Sequence, residues 1–169
     1  MSAITFYIYA GLLAIFAILQ STVTSYIRLA GASPDLVLLL VVSLVLQGGT
    51  GDLPLLGILG GVTLDVLSGA PFGLSTVALA LVSYLVRVGE VNVFHTVRFR
   101  PYIAISIATL VYHLLLALLL GLTGKTIVWG GMIWYIILPT LLVNLLSMPL
   151  VYYFVRMLNQ LLQPKRYEW

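Results

Sequence analysis

Few residues in this chain have side chains suited to chemistry. Among 169 residues there are five acidic side chains, two histidines and no cysteine. Two aspartates stand out by their surroundings. Gly49-Thr50-Gly51-Asp52 matches the G-x-G-D string of intramembrane aspartyl proteases, and Asp65 sits inside the apolar run GILGGVTLDVLSG, Gly57 to Gly69. An aspartyl dyad needs two carboxylates face to face, sharing a proton. On one helix, at 1.5 Å per residue, Asp52 and Asp65 lie about 20 Å apart and form no dyad. No Ser-His or Ser-Lys pairing stands out, and no cluster has metal-ligand spacing. No catalytic residue, metal or cofactor is therefore expected, and the chain does not read as an enzyme. The lack of cysteine removes disulfides, thiolate metal sites and a cysteine nucleophile together.

Counted by fours, Gly57, Gly61, Asp65 and Gly69 fall on one slowly drifting stripe of a helix. Glycines at this spacing let a second helix approach backbone to backbone, and a carboxylate on the same stripe faces that neighbour rather than lipid. An intramembrane carboxylate is costly to keep, so Asp65 is expected to have a task beyond packing, with Arg28 as its candidate partner. Other polar stripes run Thr140, Asn144, Ser147; Ser106, Thr109, His113; and Ser43, Gln47. They are expected to converge on the interior, where they serve either interhelical hydrogen bonds, worth ~0.6 kcal/mol each, or a ligand pocket. His113 and Asn144 join the glycines, Asp65 and Arg28 as packing-or-pocket residues. Ser33-Pro34-Asp35 reads as a helix start, with Ser33 as cap, Pro34 in the first turn and Asp35 at the positive end of the dipole. Ala10, Ala14, Ala17 and Ser21 form a second small-residue face with no charge on it, expected to be the freer surface for a partner helix.

The elements that must position these residues follow from composition. With 62% hydrophobic and 8% charged residues and a mean hydropathy of +1.14, the chain belongs in a membrane. Apolar runs occur at about 4–27, 36–49, 53–70, 72–88, 101–122 and 132–157. The expected fold is all-α: a polytopic membrane helical bundle of about six transmembrane helices, with residues 1–169 forming a single integral-membrane domain. The second, third and fourth runs are short and are expected to be tilted, broken or shielded by neighbours. The first run lacks a basic leading segment and a small-x-small cleavage site, so it is expected to be retained. A formal charge of +3, dispersed along the chain, argues against nucleic-acid binding. If the spans alternate, Arg87, Arg98, Arg100, Arg156, Lys165 and Arg166 share one side, against Arg28 and Lys125 on the other. The positive-inside rule then places both termini in the cytoplasm. Asp65 falls within about two turns of the outer surface.

Pro34-Asp35-Leu36, followed by a Gly-rich link and by Gly57, Gly61, Asp65, Gly69, Pro71, Gly73 and Leu74 in the string G-x3-G-x3-D-x3-G-x-P-x-G-L, resembles the rod shape-determining membrane protein family MreD. The resemblance covers most of the chain. It implies a scaffold of the bacterial elongation machinery, in the plasma (inner) membrane, that binds the bitopic protein MreC directly. Within the same assembly it implies the glycosyltransferase RodA, its penicillin-binding transpeptidase and MreB filaments. The architecture is also similar to that of the substrate-binding S-components of energy-coupling-factor transporters, which keeps open an alternative role as a small-molecule-binding transport subunit.

Overall fold

The computed structural model describes residues 3–26, 33–47, 53–69, 71–92, 99–123 and 129–162. The helices are α1 (Ala3–Tyr26), α2 (Leu36–Gln47), α3 (Leu53–Ser68), α4 (Leu74–Asn92), α5 (Arg100–Leu122), the short α6 (Trp129–Met132) and α7 (Leu138–Leu162), with a π-helical turn Ile133–Ile137 joining the last two. No strand occurs among the described residues. Four segments, Ile4–Thr22, Leu74–Val91, Arg100–Leu122 and Ile133–Leu162, are long and apolar enough to cross a membrane.

The centre of the bundle is α2. Its sequence, LVLLLVVSLVLQ, is apolar on every side, and such a helix has to be surrounded. Every residue from Val37 to Leu46 is buried, and α2 touches α1, α3, α4, α5 and α7. At 12 residues it is about 18 Å long, well short of the ~30 Å hydrocarbon core. Longer neighbours enclose it, so its polar ends meet side chains of other helices instead of lipid.

The closest pairing joins α3 to α4. A Cβ on Gly61 would lie 2.7 Å from the backbone nitrogen of Thr76 and 2.8 Å from the carbonyl oxygen of Ser75. A Cβ on Gly57 would lie 2.7 Å from the carbonyl oxygen of Leu79. Backbone cannot yield as a side chain can, so glycine at these two positions sets the distance between the helices. On another face of α3, a Cβ at Gly60 would be 3.0 Å from Val37 of α2 and 3.3 Å from Leu13 of α1.

On α1, Thr5, Tyr9, Leu13 and Ala17 face the core, while Ile4, Tyr7, Gly11, Ile15 and Ile18 face outward. The Ala10, Ala14, Ala17, Ser21 face expected to be free lies on the flank between these two. Ala17 is completely buried, and the other three are half-buried. The expectation is corrected accordingly: the face is not open along its length, because its stripe drifts toward the side that packs on α2 and α3. The π turn precedes Pro139, whose ring clashes with the carbonyl four residues back in a regular helix. It closes with a bond from the Leu138 N–H to the Ile133 carbonyl. Trp134 and Tyr135 on this turn are exposed.

Candidate functional site

Asp65 is buried at the end of α3, and its carboxylate accepts four hydrogen bonds, all from the start of α4. Oδ2 receives the N–H of Gly73 at 2.9 Å, the N–H of Thr76 at 3.0 Å and the hydroxyl of Thr76 at 2.6 Å. Oδ1 receives the N–H of Ser75 at 2.9 Å. Gly73 is the capping residue of α4, since its carbonyl accepts the first helical bond from the N–H of Val77 at 3.0 Å. A capping residue ordinarily supplies its own side-chain oxygen to the second or third helical N–H. Gly73 has none, and its φ of +99° is one that residues with a Cβ rarely adopt. The carboxylate arrives instead from the preceding helix, where it also meets the positive end of the α4 dipole. Gly69, at φ +63°, ends α3 and turns the chain.

This arrangement accounts for the spacing of the whole string. Gly57 and Gly61 bring α4 against α3, Asp65 caps α4, and Gly69 and Gly73 make the turn. Arg28, the candidate partner of Asp65, lies outside the described residues, as does Asp52.

A second polar cluster gathers at the same end of the bundle, around the start of α2. Asp35 is the capping residue of α2: its carbonyl takes the Leu39 N–H at 2.9 Å, so the helix begins two residues later than a Ser33 cap implies. Asn144 of α7 binds Asp35 twice. Its Oδ1 accepts the Asp35 N–H at 2.9 Å, and its Nδ2 donates to Asp35 Oδ2 at 3.0 Å and to the Thr109 hydroxyl of α5 at 3.1 Å. His113 Nε2 is 3.7 Å from Asp35 Oδ2. Gln20 of α1 accepts the Val37 N–H at 2.9 Å. Helices α1, α5 and α7 thus supply the groups that a buried helix start needs. Asn144 and His113 belong to separate polar stripes of the sequence, and here they meet on Asp35.

Beside this cluster lies a cavity of about 280 Å³, lined by Gln20, Leu64, Ser68, Leu74, Ser75, Tyr112, Leu116 and Leu120. Part of its polar lining is engaged in holding helices: Gln20 accepts the Val37 N–H, and the Ser75 N–H donates to Asp65. The wall that remains is chiefly leucine.

The opposite end of the bundle holds the cations. Every Lys or Arg among the described residues, namely Arg87, Arg100 and Arg156, lies there. Arg100 pairs with Glu90 at 2.7 Å and donates to the Tyr152 hydroxyl at 3.2 Å, joining α4, α5 and α7. Gln47 donates to the Tyr152 carbonyl at 2.9 Å, and the Tyr9 hydroxyl donates to Asn159. Neither Glu90 nor Gln20 was singled out in the sequence. Each is an isolated polar residue whose partner lies on another helix, so spacing along the chain carries no signal for it. No group of three or more His, Asp or Glu side chains is placed to hold a metal among the described residues.

Compared with known proteins, residues 2–162 match the family model of the rod shape-determining protein MreD. No curated protein and no solved structure matches the chain.

Proposed function

The chain belongs to the MreD family, and from that premise we propose that it is a membrane scaffold of the cell-wall elongation machinery. Membership implies a role in determining rod shape. In the proposed role the bundle binds the membrane helix of MreC directly and helps organise RodA, its penicillin-binding transpeptidase and MreB. It sits in the bacterial plasma membrane with both termini in the cytoplasm. The family match over nearly the whole chain is the observation that carries this reading. Two structural features support it. The described acidic side chains are engaged in joining helices to one another, and the end of the bundle that carries Arg87, Arg100 and Arg156 suits the cytoplasmic face.

Lipid tails are as apolar as leucine, so a partner helix gains little from hydrophobicity and needs close packing against small residues. We place the MreC helix on the outward side of α1, where Gly11 leaves open space and the half-buried Ala10, Ala14 and Ser21 flank it. The test is co-purification with tagged MreC, read beside restoration of rod shape in cells depleted of their own MreD. Ala14→Trp and Gly11→Trp are expected to accumulate normally, lose MreC and fail to restore shape. If both variants retain MreC, the docking face is elsewhere. If the unaltered chain neither binds MreC nor restores shape, the scaffold reading fails.

A further inference from the structure

Nδ1 of His113 lies 3.0 Å from the backbone carbonyl of Thr109. A carbonyl only accepts, so Nδ1 carries hydrogen. In the neutral ring the bare nitrogen is then Nε2, the atom that faces Asp35 Oδ2 at 3.7 Å. A bare imidazole nitrogen and a carboxylate are both acceptors. Their side chains are only 12% and 14% exposed, so little water is available to separate them. Asn144 cannot resolve the conflict, because its amide is committed to Asp35 and to the Thr109 hydroxyl.

We propose that Asp35 and His113 share one proton, and that this proton locks the start of α2 to α5. The proton resides on either partner: imidazolium beside carboxylate, or acid beside neutral imidazole. In both arrangements the two groups attract across the 3.7 Å that separates them. Removing the proton leaves two acceptors facing each other at a helix start that α1 and α7 also hold.

Few other ionisable groups face the pair among the described residues. Tyr112 of α5 packs edge-on to the His113 ring, with centroids 5.4 Å apart. Asp65 of α3 is turned to the first turn of α4. Of the other described ionisable side chains, Tyr9 of α1, Glu90 of α4 and Arg156 of α7 lie toward the far end of the bundle, and Tyr135 of the π turn lies on the exterior. Among the described residues, a proton-dependent change at this junction therefore belongs to Asp35 and His113.

The test uses the purified full-length protein in detergent, with Tm followed from about pH 5 to about pH 8, the range in which histidine exchanges its proton. The wild-type Tm is expected to fall by about 4 °C or more toward the alkaline end. His113→Gln and Asp35→Asn should each lose most of that dependence, and the double variant should be less destabilised than the two single effects added together. Wild-type pH profiles in both single variants would overturn the proposal. A second measurement stands even where those variants fail to fold. In a His95→Gln background, which leaves one histidine, nitrogen-15 spectra of the labelled ring should show Nδ1 protonated throughout and Nε2 exchanging. A neutral ring with its hydrogen on Nε2 would equally overturn it.

Discussion

Replacing Asp65 by asparagine preserves its shape and removes its charge, which makes it a sensitive test of the capping role. The carboxylate accepts three hydrogen bonds on Oδ2 and one on Oδ1. An asparagine oxygen in the Oδ2 position keeps the Gly73 and Thr76 N–H groups, but its NH₂ then meets the Ser75 N–H, donor against donor. One orphaned buried donor costs about 1–3 kcal/mol. Loss of a negative charge at the start of a helix adds up to ~2 kcal/mol in a partly buried setting. Asp65 is only 4% exposed, so water offsets little of either. The sum is about 1–5 kcal/mol, which corresponds to a fall in Tm of roughly 2–20 °C for a chain of this length. Asp65→Leu orphans three backbone N–H groups where asparagine orphans one, so its fall should be clearly larger. Thermal unfolding in detergent, followed by fluorescence-detected size exclusion, measures both. In cells the two variants should accumulate less, in the same order. Wild-type Tm and wild-type levels in both variants, together with loss of rod shape, would refute the capping argument and return Asp65 to a contact with a partner such as Arg28.

Gly61→Ala places a methyl group against the α4 backbone and should destabilise by about 1–3 kcal/mol through overpacking, whereas Gly11→Ala, with nothing within 4 Å of the added carbon, should be nearly neutral; equal Tm values for the two would contradict the packing. For topology, single cysteines at Ser33 and Thr126 should react with an impermeant thiol reagent in wall-stripped cells while cysteines at Thr96 and Gln163 should not, and the reverse pattern would invert the orientation.

The fold class was legible in the sequence because it rests on bulk properties: hydropathy, run length and the absence of polar periodicity in LVLLLVVSLVLQ. The glycine stripe was legible as a packing face for a related reason, since repetition at four-residue spacing survives without knowledge of the partner. The task of Asp65 was not. Its partners are backbone N–H groups, which have no residue type to read, and the capping position is held by a glycine with no side chain to signal it. Asp35 was explained too locally, by its own helix dipole, because Asn144 lies 109 residues away and shares no pattern with it. The Ala10 to Ser21 face shows the limit of a helical wheel. Equal small residues look alike, but the bundle turns Ala17 inward and leaves Gly11, which lies outside that stripe, facing out.

The two carboxylate clusters differ in when they can form. The Asp65 cap closes over 8 to 11 residues of chain, so it is available as soon as the first turn of α4 has been synthesised. Helices α3 and α4 can therefore leave the insertion machinery as a hairpin that already shields its own charge and the orphan N–H groups of α4, the kind of local contact that forms early. The Asp35 cluster spans 109 residues and waits for α7, the last helix. Until Asn144 arrives, the start of α2 keeps an unmatched N–H and a carboxylate without its amide partner. Premature termination before α7 should thus leave a chain whose hairpin is sound and whose central helix keeps its holds on α1 and α5 but lacks the one that Asn144 supplies.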